Sequence, residues 1–317
     1  MDTYNLGWKL AYVTKNLASR DILSTYETER IKIARELINF DHKLSRMFSG
    51  KPLIPNNNSL TKPEGVDMNE FHEAFYKGNE FASGTVVDYA SSQLVCKPEA
   101  NNEVDLNCIY TKPYATNIPI GRRFDSAKVV QHSDARPIII ADHMLSDGRW
   151  RILNFCGNYS NLANKETLKM ISDFVYSDNS FRVKYTPVNS HEDSVIDILS
   201  IYSSDRESHE LFDFPRICVP RDFKKRLNYW KLYAGIEDTL HEGRCDAYKK
   251  YGIDSEKGAI VVVRPDGYIA MVNEFNLDSY KNIAQFFEKF MVSQSKNILP
   301  TPTQDDLDRF IKPLLAV

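Results

Sequence analysis

The residues best placed to do chemistry are Cys156-Gly157-Asn158-Tyr159. They follow a strand-like run, Arg151-Ile152-Leu153-Asn154-Phe155, and precede a stretch of helical spacing. A helix N-terminus stabilises a thiolate, so a cysteine held there can form a mixed disulfide or a sulfenate. A redox pair needs a second cysteine three residues on, and that place holds Tyr159. The competing reading is a small, partly buried side chain at a strand end. The other cysteines, Cys96, Cys108, Cys218 and Cys245, are scattered and form no C-x-x-C pair. The set reads as reduced intracellular thiols, not as a disulfide framework.

Other chemistries lack their residues. The 13 glycines are all at least 6 positions apart, so neither G-x-G-x-x-G nor G-x-x-x-x-G-K occurs. A dinucleotide pyrophosphate needs the close backbone approach that such glycines permit. No Gly-Asp dipeptide and no G-x-S-x-G occur either. The 7 histidines form no H-E-x-x-H and none pairs with cysteines at ligand spacing. His191-Glu192-Asp193 and His241-Glu242 read as surface turns or helix faces.

The elements that must position these groups come from pattern. Val261-Val262-Val263 and Tyr268 to Val272 read as two strands joined by Arg264-Pro265-Asp266-Gly267. Pro265 presets φ for the second position of a β-turn, and Gly267 takes the place that wants φ > 0. Leu277, Tyr280, Ile283, Ala284, Phe287 and Phe290 then fall at helical spacing. A hairpin and closing helix end a thioredoxin-like domain, though any α/β hairpin-helix unit would look the same.

Further strands are expected at 128–131, 137–142, 150–155, 182–186, 195–202 and 216–219, with helices at 162–176 and 237–251. Asp147-Gly148 marks a hairpin turn between two of the strands. Near the start, Leu6, Leu10, Val13 and Leu17 predict an amphipathic helix over 3–17. A second helix over 22–48 has Ser24 and Glu27 as a capping box. Its mostly apolar stripe is Ile31, Ala34, Leu37, Ile38, Asp41, Leu44 and Phe48; Glu27, Glu29, Arg30, Lys32, Arg35 and Glu36 form its solvated face. A loop at 52–63, a short helix from Met68 to Gly78, an extended run at 84–95 and a polar linker at 97–117 follow. The tail carries one more helix, at 304–315.

A length of 317 residues suits two domains, and 42% hydrophobic with 26% charged residues is ordinary globular composition. A net charge of −3 leaves no basic footprint for nucleic acid. No apolar run is long enough to span a bilayer, and no signal-peptide core opens the chain, so no membrane partner and a cytoplasmic location are expected.

Several stretches, taken in order, resemble the FAD-dependent aromatic hydroxylases of the phenol 2-monooxygenase family. They are Asp2-Thr3-Tyr4-Asn5-Leu6-Gly7-Trp8-Lys9-Leu10-Ala11 with Thr25-Tyr26-Glu27-Thr28-Glu29-Arg30, then Phe81-Ala82-Ser83-Gly84-Thr85 with Asp88-Tyr89. Pro119-Ile120-Gly121-Arg122-Arg123, Asp134-Ala135-Arg136-Pro137, Asp147 to Leu153 and Lys257 to Tyr268 continue the match. The resemblance implies an α/β (α+β overall) chain: the helical edge of a flavin-binding domain (1–50), a linker (51–117), a thioredoxin-like domain of four or five mixed strands flanked by helices (118–294), and a tail (295–317).

It implies FAD as cofactor, NADPH as reductant, ortho-hydroxylation of phenols with O₂, and a homodimer formed through the C-terminal domain. Asp2 and Asn5 would stand at the edge of the flavin pocket. No catalytic residue and no metal ligand carries over, because the family's flavin loop and Gly-Asp motif have no counterpart here. The expectation is therefore a partial, truncated enzyme, inactive alone and not retaining FAD. The alternatives are a non-catalytic interaction protein and a thiol redox protein using Cys156.

Overall fold

The computed structural model describes residues 2–49, 68–83, 87–97, 114–221, 224, 226–235 and 246–294. The loop at 52–63, most of the 97–117 linker, residues 237–245 of the expected helix and the 304–315 helix lie outside the described residues.

Three helices come first: α1 (Asp2–Thr14), α2 (Ser24–Ser49) and α3 (Met68–Ser83). Then come β1 (Lys128–Gln131), β2 (Pro137–Ile139), β3 (Trp150–Phe155), α4 (Leu162–Val175), α5 (Phe181–Tyr185) and β4 (Ile196–Tyr202). The chain continues through β5 (Leu232–Ala234), α6 (Ala247–Tyr251), β6 (Ala259–Val263), β7 (Ile269–Glu274) and α7 (Leu277–Glu288). Among the described residues, seven strands share one sheet, in the order β2-β1-β5-β4-β3-β6-β7.

Strands β3 and β4 are parallel and joined across α4, while β6 runs antiparallel to β3 and turns back into β7. A β-α-β unit followed by a hairpin and helix is the thioredoxin-like arrangement. The expected four or five strands undercount the sheet, because β1 and β2 form a hairpin that docks through β5. Every residue of β3, β4 and β6 is buried, as strands covered on both faces must be. Alternation sorts them: Trp150, Ile152, Ile260 and Val262 join one apolar core with Leu168, Ile171, Phe287 and Phe290. Leu153, Phe155, Val261 and Val263 join the other with Tyr248 and Tyr251.

Some local expectations fail. Residues 182–185 are helical, since Ser180 Oγ accepts from Val183 N at 3.2 Å and caps α5. Residues 216–219 pair with no strand among the described residues, and β5 is too short to show a pattern. Asp147-Gly148 does not close a hairpin: β2 pairs with β1, whereas β3 lies between β4 and β6. Asp147 instead holds Arg149 and Arg151.

The N-terminal helices belong to the same body. Trp8 and Tyr12 of α1, with Leu17, Ala18 and Ile22, share the core containing Trp150 and Phe290. Trp8 meets Trp150 edge-on at 5.8 Å. Backbone bonds Ser19 N to Phe290 O (2.7 Å) and Val292 N to Leu17 O (2.9 Å) tie the α1–α2 connection to the end of α7.

Candidate functional site

A buried polar cluster forms where α1 and α2 meet the β6–β7 hairpin. Gly267 N donates to Arg264 O at 2.9 Å, closing the expected turn with Gly267 at φ +81°. The register shifts between the Val262–Met271 and Val263–Ile269 pairs, a bulge that twists the hairpin tip toward the helices. That tip carries Arg264 and Asp266 into the interior, where both are almost fully buried.

Arg264 makes two forked contacts. Its Nη1 and Nη2 donate to Glu29 Oε1 and Oε2 at 2.6 and 2.9 Å. Its Nε and Nη2 donate to Asp266 Oδ1 and Oδ2 at 3.0 and 2.7 Å. Planar guanidinium matches planar carboxylate in both forks. Lys9 Nζ, fully buried, donates to Glu29 Oε2 at 2.9 Å and to Asn5 Oδ1 at 2.8 Å. Trp8 Nε1 donates to Asp266 Oδ2 at 3.1 Å. The Arg264 guanidinium also lies 5.2 Å from the Tyr89 ring centre.

The cluster is balanced: Arg264 and Lys9 face Glu29 and Asp266. Buried ions of this kind hold only when fully hydrogen-bonded. Burial alone would raise the Glu29 carboxyl, but Arg264, with help from Lys9 and Asn5, holds it down at about 2. Burial pushes the Lys9 ammonium down to about 8, against the pull of Glu29. Burial also disfavours charge on Arg264, yet Asp266 and Glu29 raise it above its ordinary value.

The structure brings Asn5 into this cluster. Its Nδ2 donates to Glu29 Oε2 at 2.7 Å and lies 3.2 Å from the Tyr89 hydroxyl. Asp2 stands at the exposed start of α1, paired with Arg30, whose Nη1 donates to Tyr89 OH at 3.3 Å. Glu29 and Arg30, expected on a solvated face, are therefore buried, while Leu37 and Ile38 of the expected stripe are more than half exposed. The stripe of α1 is turned likewise: Asn5, Trp8, Lys9 and Tyr12 face inward and Leu10 is exposed. The missed signal was the Arg264-Pro265-Asp266-Gly267 turn itself. Two opposite charges at the tip of a mostly apolar hairpin pair with each other, and the helices supply further partners.

Cys156 lies elsewhere and is not a thiolate site. It is fully buried, and burial pushes its thiol well above the ordinary value. Helix α4 begins six residues later, capped by Asn161. Cys218 is equally buried, its thiol pushed up to about 12. The expectation of uniformly reduced thiols fails at Cys96, which is disulfide-bonded; scatter along a sequence says nothing of distance in space. Cys108 and Cys245 lie outside the described residues.

The chain thus joins a thioredoxin-like sheet to helices α1 and α2 through a buried ionic cluster. Residues 87–295 match the phenol hydroxylase C-terminal dimerisation domain, and residues 1–41 match an FAD binding domain. The chain belongs to the phenol hydroxylase family of FAD-dependent monooxygenases.

The chain is 33% identical to the FAD-dependent monooxygenase terD of Aspergillus terreus, over 92% of this chain and 45% of the relative. It is 32% identical to the phenol 2-monooxygenase fsqG of Aspergillus fumigatus, over 90% of this chain and 43% of that protein. The 3-hydroxybenzoate 4-monooxygenase of Comamonas testosteroni is 32% identical, over 92% and 42%. The chain thus spans under half the length of these relatives. No helix among the described residues is long and apolar enough to cross a membrane.

Proposed function

We propose that this chain serves a homodimeric, FAD-dependent aromatic monooxygenase that hydroxylates a phenolic substrate with NADPH and O₂. Its own part is mechanical: the Arg264–Asp266 hairpin fixes the dimerisation domain to helices at the edge of the flavin domain. One observation carries the reading. Glu29, within the stretch matching an FAD binding domain, is held at 2.6 Å by Arg264, within the stretch matching the dimerisation domain.

Bound flavin would supply the oxygen chemistry of the family. The described residues do not form a site for its pyrophosphate. No glycines stand at the spacing of a phosphate-binding loop, and α1 opens with the carboxylate of Asp2. Asn5 has spent its amide within the ionic cluster, so of the two expected contacts Asp2 is the one with an exposed face to offer.

The chain alone should purify without flavin absorbance near ~450 nm, a property of the cofactor, and should not oxidise NADPH when given a phenol. A yellow protein after desalting would show that a flavin site exists in this chain and would overturn the mechanical reading. The α1–α2 helices and the hairpin should protect one another from hydrogen exchange as one cooperative unit. Independent exchange of the two would separate the domains and remove the role assigned to Arg264.

A further inference from the structure

We infer that two copies of the chain join across the β2 side of the sheet, each inserting Phe212 into a cleft of the other. The inference rests on the homodimer proposed above and goes beyond it by naming the surface.

The cleft has a volume of about 750 Å³, and its walls include His132, Arg206, His209, Leu211, Tyr229 and Trp230. Beside it stands Phe212, 80% exposed, the most exposed of the large hydrophobic side chains among the described residues. Phe212 is held out on a braced turn, Leu211–Asp213. Glu210 N donates to Asp213 Oδ2 at 2.9 Å, and Asp213 N donates to the Glu210 carbonyl oxygen at 3.0 Å in return. Leu211 lines the cleft while its neighbour projects from the surface.

A projection and a recess within one patch are what a two-fold contact requires, because each protomer then offers both halves. The chemistry of the recess suits an aromatic ring. Tyr229 and Trp230 are both partly exposed, with ring centres 5.4 Å apart. His132 is nearly buried, with Nδ1 2.7 Å from Tyr202 OH, and burial pushes it down to about 4, so it is neutral at neutral pH. Arg206, Asp134, Glu207 and Glu210 bring charges of both signs to the cleft's lining, as at the polar rim of an interface.

Position in the sheet agrees. Helices α1 and α2 take the β6–β7 end, and the cleft lies at the opposite side, around β1 and β5 next to edge strand β2. A second copy there would leave the ionic cluster untouched. Every residue named in the patch falls within the segment matching a dimerisation domain.

The test is light scattering or sedimentation of the whole chain at micromolar concentration, with circular dichroism as a check of folding. Wild type should be a dimer. Phe212→Asp should weaken association at least about 30-fold, the size expected when a central anchor is lost. Trp230→Asp should do the same, and decides the matter if Phe212→Asp fails to fold. Val183→Asp, at an exposed position on α5 away from the patch, should remain dimeric. A dimer unaffected by either patch variant overturns the surface and leaves the homodimer standing. Monomeric wild type overturns both. Dissociation by Val183→Asp with the patch variants intact places the interface elsewhere.

Discussion

Arg264 Nη1 and Glu29 Oε1 lie 2.6 Å apart across 235 positions of sequence, with both side chains withdrawn from solvent. The pair joins the flavin-domain helices to the dimerisation domain through charge inside an otherwise apolar junction. Removing one partner leaves the other ions buried and unbalanced. Arg264→Met should therefore destabilise the chain by about 3–5 kcal/mol, read as a lower urea midpoint. Glu29→Gln combined with Arg264→Met should recover part of the loss, since contacting residues are not additive. A single-variant loss below about 1 kcal/mol would place Arg264 in the class of weak surface pairs and discard the clamp.

Acid should open the same junction. The Glu29 carboxyl sits at about 2 in the folded chain, against an ordinary value of 4.5. A depressed carboxylate contributes stability that is fully present above the ordinary value. That stability is lost as pH falls from 4.5 through about 2. The difference is on the order of 3 kcal/mol. Urea titrations across that window should show the loss in wild type and a flatter profile in Glu29→Gln. Equal profiles would mean that Glu29 does not carry the acid sensitivity.

The strands that organise the domain were legible because burial on both faces leaves continuous β-branched runs, as in Val261-Val262-Val263. Helix α7 was legible because its inward residues, Tyr280, Ile283 and Phe287, are apolar at helical spacing. The ionic cluster was not, and for one physical reason. Hydrophobic periodicity assumes that inward means apolar, and α1 and α2 turn Asn5, Lys9, Glu29 and Arg30 inward. Their compensating charges lie on a hairpin far along the chain, so no local window contains both halves. The Arg264-Pro265-Asp266-Gly267 turn is one of several stretches that carry the family resemblance, but the role of its charges needed coordinates.

The two described free thiols should be inert. Cys156 and Cys218 are fully buried, and burial keeps both as neutral thiols at neutral pH. A thiol reagent should fail to label either one in the native chain and should label both in denaturant. Peroxide should give the same native labelling pattern in wild type and in Cys156→Ser. Rapid native modification of Cys156 would restore a redox role for the strand end at which it sits.

That strand end is also held by a backbone approach that admits no side chain. Gly258, leading into β6, has φ +78°, and a Cβ there would come within 2.0 Å of Phe155 O and 2.7 Å of Gly157 N. Both contacts are to backbone, so no rotamer change relieves them. Gly157 itself has φ +68°, and its added Cβ would meet Glu256 O at 2.7 Å. The two glycines thus let the end of β3 and the approach to β6 pack against each other while those strands pair from Arg151–Val263 to Phe155–Ala259. Gly258→Ala should cost at least about 2 kcal/mol, from the left-handed conformation and the forced backbone shift together. Gly148→Ala is the control: its φ is +83°, but an added Cβ meets nothing within 4 Å. It should cost only the conformational part, about 1 kcal/mol. Thermal unfolding of the two variants separates the contributions. Equal losses would mean that close approach at Gly258 adds nothing to the backbone requirement.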